Sequence, residues 1–444
     1  MTHSGYFKEF CRYVSLNVLG MIALSCYILA DTFFVSKGLG TNGLAALNLA
    51  IPVYSFISGS GLMFGMGGAT KFSISKSQGD TARANQAFTN TLFLVCAFAA
   101  VFFLTGLFFS RNIVELLGAD EAVFQMTQTY LRVILLFAPM FMMNNVLLCF
   151  VRNDGAPQLS MAAMIGGSLS NIVLDYVFIF PFGMGIFGAV LATGFAPVIS
   201  MLILSPFFLK KKNTFRPVKC IPGRRLMADI FSGGFPSLLS EVSSGIVIII
   251  FNMLILGLEG NTGVAAYGVI ANLSLVVISV YTGIAQGVQP ILSKSYGHGD
   301  RPRIQSVFRY ALITAAAFSV AVYTVIFFNA APIADIFNSE GDPLLAEIAV
   351  GGLRLYFTGC LFAGLNIILS VYFTSTEYPL PAHVISLCRG FLVIIPLAFL
   401  LSKAAGMTGI WLTFPLAEML VCILAVVLYL RSPKGAVSAA ITRR

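Results

Sequence analysis

Twelve apolar stretches dominate this sequence and dictate what it can become. Each is long enough to cross a bilayer, about 20 residues or more. Inside hydrocarbon no water satisfies backbone N–H and C=O groups, so each stretch is expected to cross as a helix that satisfies its own. The stretches fall at 12–36, 44–72, 87–110, 127–151, 158–182, 186–209, 228–257, 264–293, 306–330, 347–375, 380–402 and 408–430. They are called spans 1 to 12 below. Only 10% of residues are charged and mean hydropathy is +0.89, where soluble domains carry about 25% charge. The sequence is therefore that of an all-α polytopic membrane protein. Lys8 and Arg12 ahead of the first apolar stretch resemble the start of a signal peptide. The length of the stretch, Asp31 within it and the lack of a small-x-small cleavage site make it a first span instead.

Twelve crossings put both termini on one side, with a basic linker at 210–225 between the sixth and seventh. Of the 27 Lys and Arg residues, 22 fall on that side, Arg389 counted among them at the rim of span 11. By the positive-inside rule the termini and the linker are cytoplasmic. The net charge of +9 is thus a topology signal and implies no nucleic-acid partner. The expected organisation is a six-helix lobe at 1–209, the linker at 210–225, a second six-helix lobe at 226–432 and a cytoplasmic tail at 433–444.

The halves are copies. A shift of 220 residues lays Gly43-x-Ala45-Ala46 on Gly263-x-Ala265-Ala266, Gly67 on Gly287, Gly79-Asp80 on Gly299-Asp300 and Arg83 on Arg303. A further two residues lay Leu131-Arg132 on Leu353-Arg354, Asn144 on Asn366 and Pro157 on Pro379. Polar loop residues in register are not a product of shared apolarity. Six spans per copy is an even number, so the repeat is parallel, its pseudo-axis along the membrane normal.

Against that symmetry the intramembrane carboxylates stand out. Asp31 in span 1 and Asp175 in span 5 have no charged counterpart in the second copy. Asn171, four residues before Asp175, shares its helix face. Thr193 in span 6 adds a hydroxyl. A charge at this depth costs several kcal/mol and is kept where something offsets it. Hard oxygen donors of this kind suit Na⁺, by analogy with other hard cations. Two carboxylates in a low dielectric also suit a proton. Buried acids that merely hydrogen-bond their neighbours are the plain alternative. Glu241 in span 7 is likewise one-sided. With Gln289 and Asn366 it forms a second candidate set, for substrate or a second proton; a simply packed Glu is the alternative. Glu418 in span 12 is a weaker candidate.

Other chemistries find no footing. Gly65-Met66-Gly67-Gly68-Ala69 follows no strand and reads as helix packing, not a nucleotide loop. The eight cysteines form no C-x-x-C and read as small core residues. The three histidines are too few for a metal centre. No enzyme and no cofactor is indicated. Phe141, Met142 and Met253 are candidates to line a cleft for apolar cations.

The sequence resembles the multidrug and toxic compound extrusion (MATE) antiporters. The resemblance rests on Ala30-Asp31-Thr32, Gly38-Leu39-Gly40, Asn171-Ile172-Val173-Leu174-Asp175, Gly188-Ala189-x-x-Ala192-Thr193, Gly234-Phe235-Pro236-Ser237 and Gly287-x-Gln289-Pro290. It implies a two-lobed, twelve-helix transporter, here expected in the plasma (inner) membrane and as a monomer. It also implies export of small organic cations by exchange with Na⁺ or H⁺, the ion held by Asp31, Asn171, Asp175 and Thr193, sometimes with the Ala189 carbonyl. Two positions depart: Leu16 stands where many relatives carry proline, and Asn366 where some carry aspartate. The second leaves a C-terminal ion site incomplete. A flippase for lipid-linked saccharides shares the two-lobed architecture, and a channel is the further alternative. The flippase would want a cationic cleft, and the basic residues are expected at the rim, outside the spans.

Overall fold

The computed structural model describes residues 3–338 and 342–432. The expected tail at 433–444 lies outside them. Among the described residues every regular element is a helix. Spans 1 and 2 form the run His3–Ser77, which breaks at Gly40 (φ 67°, ψ −159°). Spans 7 and 8 form Arg224–Gly297, which breaks at Gly260 (φ 61°, ψ −152°). These positions are 220 residues apart, and the left-handed φ is one that glycine alone adopts at little cost. The repeat read from the sequence is thus a repeat of backbone conformation.

The correspondence continues along the chain. Span 3 is Thr81–Phe108 and span 9 is Arg301–Phe328. Each opens on an aspartate cap: Asp80 accepts from the Arg83 N–H and Asp300 from the Arg303 N–H. Such caps satisfy amides that the first helical turn leaves open. Short helices Ser110–Leu116 and Ala330–Phe337 follow. Span 4 comprises Glu121–Leu136 and Ala138–Asn153, bent by 47° where Pro139 opens the second piece. Span 10 comprises Pro343–Tyr356 and Cys360–Ser375, joined by the tight turn Phe357–Gly359. Spans 5 and 6 are Pro157–Ile179 and Gly185–Leu209.

Span 11 breaks the pattern. It runs from Pro379 through Leu387, then widens into a π-helical turn, Cys388–Leu392, before Ile394–Arg431 continues through spans 11 and 12 with a break at Ala405–Gly406.

The chain forms two compact units. One comprises Leu19–Val242 and Ser293–His298; the other comprises Met1–Val18, Ser243–Leu292 and Gly299–Arg444. Each unit therefore holds the opening part of the other copy's first span. In the first unit a Cβ on Gly67 would lie 1.9 Å from the Ile230 carbonyl oxygen, and one on Gly234 would lie 1.8 Å from that of Met63. In the second unit a Cβ on Gly287 would lie 2.8 Å from the Val14 Cα. Residues 14 and 234 correspond, as do 67 and 287. The Gly65–Ala69 stretch is thus helix packing of small residues, as in other membrane bundles.

The basic linker is strapped onto the first unit. Arg216, Val218 and Gly223 donate backbone N–H bonds to Asn85, Thr89 and Asn90 of span 3. Phe215 is fully buried among Phe72, Phe88, Phe150 and Phe208. The cysteines do not all sit in the core. Cys149, Cys360 and Cys422 are buried, but Cys11, Cys26 and Cys96 are exposed.

Candidate functional site

Small residues bring spans 1, 5 and 6 together in the first unit. A Cβ on Gly38 would lie 2.4 Å from Ile179, and one on Gly167 would lie 3.0 Å from the Ala196 carbonyl oxygen. At that closeness the polar residues of the three helices meet. Asp31, Asn171, Asp175 and Thr193 are all buried, Asp175 and Asn171 completely. The carboxyl groups of Asp31 and Asp175 come within hydrogen-bonding reach of each other. One oxygen of each, Oδ1, has no hydrogen-bond partner. Two buried carboxylates cannot face one another bare; a proton or a cation must lie between them.

Asn171 supports this pair in an unexpected sense. Its carboxamide fits when the nitrogen donates to Asp175 Oδ2 at 2.9 Å and the oxygen accepts from the Thr193 N–H at 3.2 Å. The opposite orientation sets acceptor against acceptor. In that orientation Asn171 offers Asp175 a donor; in the opposite one its oxygen faces the carboxylate, as a cation ligand's would. The Thr193 hydroxyl donates to the Ala189 carbonyl at 3.1 Å, so that carbonyl is already engaged.

The sequence reading passed over Tyr130. It is buried in span 4, its hydroxyl approaching Thr193 and lying in the field of both carboxylates. Tyrosine in an amphipathic stretch is ordinary core material, so nothing in the sequence marks it; only the packing of span 4 against span 6 does.

The second candidate set is divided between the units. Glu241 belongs with Asp31, in the unit ending at Val242, where its Cβ packs on Gly59. Tyr54 lies between the two acids in charge terms, feeling both Asp31 and Glu241, and its hydroxyl is 2.9 Å from that of Tyr27. Gln289 and Asn366 are buried in the other unit. Of the cleft candidates, Phe141 and Met142 are buried and Met253 is exposed.

Arg389 corrects the sequence reading. It does not lie at the rim. It sits ten residues into span 11, in the π-helical turn, and its Nε donates to Glu418 Oε1 at 2.5 Å. Asn366 Nδ2 donates to Glu418 Oε2 at 2.7 Å. A charge that looks peripheral by counting is internal because it carries its partner with it. Glu418 is thus already neutralised by a guanidinium.

Comparison with known proteins places this architecture. The profile of the MatE family matches residues 18–177 and 236–400. The multidrug export protein MepA of Staphylococcus saprophyticus is 25% identical over 427 residues, covering 96% of this chain and 93% of that one. The fold matches, with a TM-score of 0.90 and 24% identity, a structure described as the outward-facing conformation of a multidrug resistance MATE family transporter of the MOP superfamily, covering 98% of this chain and 96% of that one. It also matches a MOP superfamily transporter from Pyrococcus furiosus, described as having a binding pocket of reverse polarity, with a TM-score of 0.89, 24% identity and coverage of 97% and 96%. The family profile spans most of both halves, and the duplicated helical architecture agrees with it: the chain belongs to the MatE family.

Proposed function

We propose that the protein is a secondary active exporter of the plasma membrane, with both termini cytoplasmic, that moves small organic, mostly cationic compounds outward as protons move inward. The observation that carries this reading is the Asp31–Asp175 contact, with an unpartnered oxygen on each carboxyl. A proton between the two carboxyls holds span 1 against span 5. Its loss leaves two negative charges in a low dielectric. At a separation of 4 Å and an effective dielectric of 20 their repulsion is about 4 kcal/mol. That would move a two-state equilibrium roughly a thousandfold. A ligand shifts states only by binding them unequally, and a proton at this pair meets that requirement.

The hydrogen-bonded orientation of the Asn171 amide is the one that suits a proton as the exchanged ion. A donor nitrogen beside Asp175 supports a carboxyl pair sharing a proton, whereas a metal cation would want the amide oxygen turned inward. Multidrug export is the named activity of the staphylococcal relative, and organic cations are the substrates such an acidic interior would accept. A saccharide-lipid flippase would require a cationic interior; Arg389, paired with Glu418, supplies no net charge of that kind.

Reconstituted vesicles with separately imposed proton and Na⁺ gradients test this reading. Ethidium should accumulate against its gradient when a pH difference is imposed, and not with Na⁺ alone. Transport driven by Na⁺ at uniform pH would reverse the ion assignment. Unaltered transport by folded Asp31→Asn and Asp175→Asn variants would remove the site assignment.

A further inference from the structure

Arg389 uses its guanidinium in an incomplete way. A structural Arg–carboxylate pair is commonly bidentate, two parallel N–H donors on two oxygens. Here Glu418 is divided instead: Oε1 takes the Arg389 Nε, and Oε2 takes Asn366 Nδ2. Asn366 also donates to the Glu418 backbone carbonyl at 2.9 Å, which pins the carboxylate in that divided pose. The two terminal nitrogens of Arg389 are left without a protein partner among the described residues, and 19% of the side chain stays accessible, against 3% for Glu418.

Position makes this unusual. Ten helical residues past Pro379 is about 15 Å along the axis, half the thickness of the hydrocarbon core. Open donors at that depth face a bundle interior or a watery path, since lipid offers them nothing. Arg389 lies in the π-helical turn Cys388–Leu392. Such turns inside α-helices are frequent at functional sites. Nearby, Asn366 Oδ1 is buried with no donor.

We propose that the outer edge of the Arg389 guanidinium binds an oxyanion, the carboxylate of a zwitterionic substrate. Its planar fork matches a carboxylate's two oxygens. The Arg389–Glu418 pair is neutral overall, so a bare anion would bring uncompensated charge into the membrane interior. A zwitterion brings its own cation and can also supply a donor to Asn366 Oδ1. The assignment rests on the export reading and narrows it: the transported compounds include molecules with both a cationic group and a carboxylate.

Rhodamine B and its methyl ester separate the terms, since they differ only in the free carboxylate. Binding is measured by fluorescence polarisation on the purified full-length protein in phosphatidylcholine nanodiscs. Arg389→Gln should weaken rhodamine B binding about tenfold or more, the scale of a lost charge-assisted bidentate contact, and leave the ester within about twofold. The double variant Arg389→Gln with Glu418→Gln removes both charges, strands neither, and serves if the single variant does not fold; it should show the same loss. Equal binding of rhodamine B by wild type and either folded variant overturns the proposal. A second arm adds phosphatidylglycerol. If it abolishes the wild-type preference for rhodamine B over the ester, the site takes a lipid phosphate and the substrate assignment fails. Vesicle uptake of the ester is the separate check on export: without it the export reading fails, while the binding contrast still decides the Arg389 site.

Discussion

At the scale of single residues, two buried polar clusters show opposite solutions to the same cost. In the first unit Asp31 and Asp175 keep two acids with no Lys or Arg paired to them among the described residues, which is why we propose an exchanged ion there. In the second unit Glu418 carries a permanent cation in Arg389. Removing one partner of each cluster should therefore have different consequences. Arg389→Met strands a buried carboxylate and should cost about 3–5 kcal/mol, seen as a lower melting temperature in detergent, with much of the loss recovered in the double variant Arg389→Met, Glu418→Met. Asp175→Asn removes a charge that has no fixed counter-charge. It should melt at or above the wild-type temperature while gradient-driven ethidium uptake falls to background. Tyr130→Phe deletes only a hydroxyl beside Thr193, a contact worth about 1 kcal/mol. Uptake should persist at a rate reduced several-fold.

At the scale of elements, the glycines divide into two kinds that composition cannot tell apart. Gly40 needs its positive φ to join spans 1 and 2, and a Cβ there would meet nothing within 4 Å. Gly40→Ala should cost only the backbone term, roughly 1–3 kcal/mol. Gly234 has ordinary helical neighbours, but its Cβ would lie 1.8 Å from the Met63 carbonyl oxygen. Backbone cannot yield as a side-chain tip can, so Gly234→Ala should abolish the folded monodisperse peak in size-exclusion chromatography, whereas Gly40→Ala keeps it. The π-helical turn is the element without a match in the first copy, where Pro157–Ile179 runs unbroken. By the register that lays Pro157 on Pro379 it falls on residues 166–170, just before the position of Asn171. Both copies have thus placed their special chemistry in the fifth span, one through side chains and the other through a backbone irregularity.

For the whole molecule, duplication supplies the frame, and the proposed chemistry lies where the frame is violated. The caps at Asp80 and Asp300, the breaks at Gly40 and Gly260 and the short helices at 110–116 and 330–337 repeat; the acids, Arg389 and the π-helical turn do not. The orientation proposed for this frame has a direct check. In a variant whose only cysteine is Cys220, on the linker, a membrane-impermeant maleimide should label inverted membrane vesicles and leave intact cells unlabelled. The reverse pattern would place the linker and termini outside.

The sequence by itself determined the twelve helical crossings, the parallel duplication and the one-sided carboxylates. Long apolar runs, loop residues in register and a costly charge are all local properties of the chain. Asp31, Asn171, Asp175 and Thr193 could be singled out for the same reason. Tertiary packing alone decided the rest. It placed Tyr130 beside Thr193, set the Asn171 amide against Asp175, put Glu241 in the unit of Asp31, and moved Arg389 from an apparent rim to the membrane interior opposite Glu418. Each of these depends on a partner distant in sequence. The free energy of a buried polar group is set by what it faces, and that is known only once the helices have packed.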